Sequence, residues 1–270
     1  MRILFPIGVI VILLLISADP AAAQTWNFQI VDDGGDVGYQ SQVVVASDGT
    51  PYILYLSSGG VLKLASWVAT GPGEGGWDLL FIETTGTSNY TIDLMIDSND
   101  LLHLAWNSLS PTVRMKYAVY DPVAKTYVVP IEYFATEYGN LDLALHESGG
   151  KVYPAVAYVA GSKLKVATRN PDSGAWTVVI AYDDNSVSNA PSIAIDSNGD
   201  CPVSFYESSG SNLVYANNAN VEHTWVSEYV DLPGNVGSYS SIVLDAGDVP
   251  YIVYYDATNT DLKYAKLVTP

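Results

Sequence analysis

Asp93 and Asp142 lie 49 residues apart in two stretches of similar make-up, Ile92-Asp93-Leu94 and Leu141-Asp142-Leu143. Carboxyls brought about 5 to 9 Å apart serve as acid and base on a glycosidic bond, and the same pair can hold a cation or bind ligand hydroxyls. A solvated polar ring is the plain structural alternative. Gln42, Ser192 and Ser241 hold the matching place in three other stretches, and Tyr39, Tyr90, Tyr138 and Tyr239 stand just ahead of four of the five. Trp106, Asn107, Glu207 and Asp256 close a second kind of strand, whose following loops face the same side. Aromatic bodies beside amide, hydroxyl and carboxylate groups suit a sugar ring, whose C–H face stacks while its hydroxyls seek directional partners. The strand-end aromatics also suit core wedges, so the loop residues are the better functional candidates.

These positions recur because the chain is a repeat. Leu62-Lys63-Leu64-Ala65 returns as Met115-Lys116-Tyr117-Ala118, Leu164-Lys165-Val166-Ala167, Leu213-Val214-Tyr215-Ala216 and Leu262-Lys263-Tyr264-Ala265, with the alanines spaced by 53, 49, 49 and 49 residues. A period of this length marks a propeller or a stacked array. Short runs of alternating apolar residues end at Tyr55, Trp106, Tyr158, Tyr206 and Tyr254. They read as strands, and the clusters before them, such as Asp196-Ser197-Asn198-Gly199, read as hairpin turns. With one strand before the turn and another opening near Trp77, Tyr127, Trp176 and Trp225, each unit becomes a four-stranded blade.

The sequence therefore predicts an all-β, five-bladed β-propeller. The fifth unit stops at Pro270 without a Trp-led strand, while Trp26 to Val31 opens the chain with one, 51 residues before Trp77. The expectation is a ring closed by the N-terminal strand completing the last blade, which leaves no unpaired edge. The lysines at 63, 116, 165 and 263 share one register, and a role repeated in four blades is structural: the stem covers apolar surface and the amine reaches a carboxylate.

Arg2, the apolar run Ile3 to Ile16 and Ala21-Ala22-Ala23 predict a signal peptide over 1–23 and a single domain over 24–270, secreted or periplasmic. No segment of the mature chain is predicted to span a membrane. The net charge of -18 disfavours nucleic acid and anionic lipid as partners. The lone cysteine, Cys201, reads as a buried strand-start residue. Three dispersed histidines lack metal-ligand spacing, and no nucleophile elbow, phosphate loop or cofactor motif occurs, so no metal or cofactor is expected.

The phrases Ser192 to Gly199 and Tyr254 to Ala265 resemble repeats of secreted bacterial β-propellers, loosely related to sialidase-type and lectin-type propellers. Five-bladed members with furanosidase activity use three inner-strand carboxylates. Here that resemblance reaches only Asp93 and Asp142, leaving Glu132, Glu137 or Glu207 to enter from a loop. The sialidase box and arginine triad are missing. The leading expectation is a monomeric, non-catalytic propeller binding carbohydrate or another extracellular ligand on its tyrosine-rich face. The alternatives are a scaffold for protein partners and a glycoside hydrolase using Asp93 and Asp142.

Overall fold

A computed structural model describes residues 26–71, 74–86, 91–184, 186–220 and 222–268. The chain divides into two units, Met1–Ile30 and Val31–Pro270. In the first, residues 26–30 are described; they form no strand, and Trp26, Phe28 and Ile30 are exposed. The predicted signal peptide lies outside the described residues.

The second unit is all strand and loop. Its first sheet holds β1 (Val37–Val45), β2 (Pro51–Ser57), β3 (Val61–Gly71) and β4 (Glu74–Thr84) in that spatial order. The second repeats the order with β5 (Ile92–Ile96), β6 (Leu102–Ser108), β7 (Arg114–Asp121) and β8 (Thr126–Ala135). The third has β9 (Leu141–Ser148), β10 (Lys151–Ala160), β11 (Lys163–Arg169) and β12 (Trp176–Tyr182). The fourth has β13 (Val187–Ile193), β14 (Val203–Glu207), β15 (Asn212–Asn217) and β16 (Val226–Asp231). The fifth has β17 (Val236–Leu244), β18 (Pro250–Asp256) and β19 (Asp261–Lys266).

All strand pairs are antiparallel meanders, so each sheet is a propeller blade, and the first strands pack in succession, β1 on β5, β5 on β9, β9 on β13 and β13 on β17. Aspartate chemistry sets the turns between first and second strands. Asp97 Oδ1 accepts from Asn99 and Leu101 N–H, Asp196 Oδ1 from Asn198 and Asp200, and Asp245 Oδ1 from Gly247 and Val249.

Four apolar clusters fill the four interfaces between neighbouring sheets. Leu54 and Leu56 meet Leu94 and Trp106 between the first two, Tyr117 meets Tyr158 next, Val166 meets Phe205 in the third, and Leu213 meets Ile242 in the last. Each fully buried large side chain contributes about 2 to 3 kcal/mol, so no blade is stable without its neighbour.

Above these clusters runs a repeated latch. Lys63 Nζ meets Asp32 Oδ2 at 2.7 Å, where Tyr55 Oη also donates; Lys116 Nζ meets Glu83 at 2.6 Å, where Trp106 Nε1 donates. Lys165 pairs with Glu137 at 2.6 Å, and Lys263 with Asp231, which also accepts from Tyr254 Oη. The lysine register thus has the shared structural role expected of it. In the fourth sheet Val214 replaces the lysine and no latch forms.

The ring differs from its expectation. Among the described residues there are 19 strands, the fifth sheet has three, and no closure between the first and fifth sheets is present. The physical mark is an unpartnered face on each: Val43, Val45 and Phe81 on the first sheet, and Val243, Leu262 and Tyr264 on the fifth, are all more than half exposed.

Candidate active site

The site is built at one repeated position of the innermost strands. Asp93 Oδ2 on β5 accepts the Leu143 N–H of β9 (2.8 Å), Asp142 Oδ2 on β9 accepts the Ile193 N–H of β13 (2.7 Å), and Ser192 Oγ on β13 accepts the Ile242 N–H of β17 (3.3 Å). Each side chain therefore reaches one blade forward and satisfies a backbone donor there. Gln42 and Ser241, at the two ends of the arc, are exposed.

The carboxyls of Asp93 and Asp142 act on each other electrostatically, and the Ser192 side chain favours the charged form of Asp142. Burial pushes Asp93 up and, with the charge of Asp93 added, pushes Asp142 up to about 7. Carboxyls that act on one another in this way do not both ionise readily.

The surrounding loops place the other sequence candidates differently. Tyr39, Tyr138 and Tyr239 are exposed, at 67%, 58% and 81%. Tyr39 and Tyr239 ride irregular segments of β1 and β17, where the pairing register slips and Tyr239 takes a left-handed φ of 56°. Such bulges re-aim side chains out of the ladder. Tyr90 lies outside the described residues. Trp106 is fully buried on Glu83, and Asn107 Nδ2 donates to Gly139 O (3.0 Å), tying the loops of the second and third blades together. Glu207 accepts from Ser209 and Gly210 N–H, and Asp256 from Thr258 and Asn259 N–H, so both cap their own hairpin loops.

The carboxylates considered as a third member are likewise engaged elsewhere: Glu132 with Arg169 and Trp176, Glu137 with Lys165, Glu207 with its loop. Among the described residues no group of His, Cys, Asp and Glu is placed to hold a metal ion. Cys201 is buried, with its thiol pushed up to about 12 by burial and the nearby aspartates.

No helix among the described residues is long and apolar enough to cross a membrane. No protein-family model matches the chain, and no curated protein matches it. Solved structures do. AofleA from Arthrobotrys oligospora is similar over 82% of this chain and 69% of its own, at 10% identity and a TM-score of 0.51. A polysaccharide lyase, an ulvan lyase bound to -[GlcA(1-4)Rha3S]-, is similar over 84% of this chain and 69% of its own, at 10% identity and a TM-score of 0.50. The RS223 β-xylosidase is similar over 87% of this chain and 94% of its own, at 13% identity and a TM-score of 0.43. At these identities the first two matches speak to the fold, a β-propeller. The expectation of a non-catalytic binder is corrected here. The fold is shared with a polysaccharide lyase, so the alternative of a carbohydrate-active enzyme is the one carried forward.

Proposed function

We propose that this chain is a carbohydrate-active enzyme that cleaves glycosidic bonds of a polysaccharide, with Asp93 and Asp142 as one acid–base unit. The observation that carries this reading is the pair of inner-strand aspartates on neighbouring blades, each anchored by a backbone N–H of the next blade, with Asp142 pushed up to about 7 by burial and by the charge of Asp93. In that role the two carboxyls flank the scissile bond, one giving a proton to the leaving oxygen and the other activating water. The ionised carboxylate takes a proton from water as the water oxygen bonds the anomeric carbon. The protonated partner gives its proton to the leaving glycosidic oxygen as the C–O bond breaks, and the pair ends with one proton, as it began. Backbone N–H groups of Leu143 and Ile193 hold both carboxyls in place through the cycle. The exposed Tyr39, Tyr138 and Tyr239 offer rings on which sugar units can stack.

The test is release of reducing ends from a panel of plant, algal and microbial polysaccharides. Asp142→Asn lowers turnover by roughly 10²- to 10⁴-fold, the usual range for a general acid or base, with the melting temperature kept. Full turnover by that variant sinks the reading. An unsaturated uronate product would replace hydrolysis by elimination.

The closed five-bladed ring is carried as part of the same proposal. What supports it is Asp32, which stands six residues after Trp26 as Glu83 stands after Trp77 and Asp231 after Trp225, and takes the same latch place on the following blade. Deleting residues 26 to 31 then lowers the melting temperature and promotes self-association. A truncated chain that melts as the full one does and stays monomeric would refute closure.

A further inference from the structure

A sizeable cavity lies away from the aspartate pair. It lies between the third and fourth sheets at the end where β9 turns into β10 and β13 into β14, and has a volume of about 630 Å³. His146, on its wall, is four residues further along β9 than Asp142, roughly 13 Å at the rise of a strand.

Comparison with the interface between the first and second sheets shows how the cavity arises. There Tyr52 pairs with Ser66 on β3 and Tyr120 pairs with Leu102 on β6, and the residual space is about 20 Å³. At the same register in the third and fourth sheets, Ala155 pairs with Thr168, and Asn218 follows Ala216 by two residues as Tyr120 follows Ala118. Two tyrosines have become an alanine and an asparagine, and the interface opens into a chamber of the size that holds a small ligand.

The wall chemistry decides what that ligand is. Tyr153 and Trp225 supply ring faces, and Asn218, His146, His223 and the buried Asp200 supply donors and acceptors. Two of the wall groups are already partnered: His223 Nδ1 lies 2.8 Å from Asp200 Oδ1, and Arg169 Nε donates to Glu132 at 2.6 Å. A ligand carrying net charge would meet no unpaired opposite charge, whereas aromatic faces beside paired hydrogen-bonding groups fit a hydroxyl-rich ring. We infer that this chamber is a second binding site, for a neutral sugar unit, separate from the aspartate pair and built by the loss of the two tyrosines.

The site stands on the cavity alone, so it is tested in the full-length Asp142→Asn protein, where turnover is silenced and the hydrolase reading does not enter. Calorimetric titration with neutral sugars (glucose, galactose, mannose, fucose, xylose and N-acetylglucosamine, and short oligomers of each) is expected to show saturable binding of at least one. Ala155→Tyr, which restores the tyrosine of the first interface, weakens that binding at least tenfold, and His223→Ala does so without refilling the core should Ala155→Tyr fail to fold. In the otherwise wild-type chain, both substitutions leave cleavage of short substrates unchanged. No binding by any neutral sugar, binding of glucuronate or sulfated sugars only, or equal binding by His223→Ala would each overturn the inference.

Discussion

Carboxylates occupy two repeated places in this propeller, and the difference between them separates structure from chemistry. The latch carboxylates Asp32, Glu83, Glu137 and Asp231 each face a lysine ammonium, for the last three one from the following blade. Hydrogen bonds from Lys63 and Tyr55 hold Asp32 down at about 2. The innermost Asp93 and Asp142 accept from backbone N–H groups, and burial with the charge of Asp93 pushes Asp142 up to about 7. A carboxylate with a cation is locked in its charged form and can only hold blades together. A pair without one keeps a proton that it can give away.

The comparison is broken most severely at Asp93. Asp93→Asn leaves Asp142 beside a neutral amide and removes the charge that helps raise it. Turnover on the polysaccharide substrate is expected to fall by roughly 10²- to 10³-fold, the scale of a lost proton-transfer group. Stability at neutral pH is expected to hold or rise, because a buried like-charge repulsion is gone. A drop in both together would mean that the pair is a structural clamp.

Next in size is the latch itself. Glu83→Gln leaves the Lys116 ammonium, 14% exposed, without its counter-charge. The cost is about 3 kcal/mol, at the lower end of breaking a buried ion pair, read from chemical denaturation. Cleavage per folded molecule stays unchanged. The same substitution would be nearly silent if the latch were ordinary surface charge.

Stability against pH separates the two sets with opposite signs. Asp142 rises from 3.8 to about 7 on folding, so its folded form binds more protons and stability declines as pH climbs through that window. Asp32 falls from 3.8 to about 2, so its contribution is complete above 3.8 and is lost as pH drops through 2. Asp142→Asn flattens the upper slope alone, and Asp32→Asn the acid limb alone, in urea titrations run at a series of pH values. Matching slopes in both variants would erase the distinction.

The repeat made much of this legible. Alternating residues ending at Tyr55, Trp106, Tyr158, Tyr206 and Tyr254 mark second strands, and the aspartate turns before them mark hairpins, because both signals are local. The five equivalent inner positions also follow from the period. That Asp93 and Asp142 each bond a backbone N–H of the next blade does not, since that depends on how each carboxyl leans. One latch partner slips from register, with Glu137 ten residues after Tyr127 where Glu83 and Asp231 stand six after their tryptophans. Longer loops hide a shared role from simple counting. The chamber between the third and fourth sheets was readable in principle: aligned units show Tyr52 against Ala155 and Tyr120 against Asn218, two lost rings with nothing large in exchange. The three-stranded fifth sheet is the place where sequence pattern and structure part, as no local signal in β19 specifies its neighbour.

The smallest effect is expected at Lys125, whose ion pair with Asp78 spans the first and second blades at 2.6 Å with side chains 64% and 50% exposed. Geometrically it is as good as the latch, and Asp78 raises the Lys125 ammonium. Solvent screens such a pair and the long side chain loses freedom to hold it, so it contributes little to folding. Lys125→Ala should leave the melting temperature unchanged within error, while Glu83→Gln at the same 2.6 Å lowers it clearly. Equal losses would show that contact distance governs these pairs. Unequal ones assign the stabilisation to burial, which is also the first cause of the raised proton on Asp142.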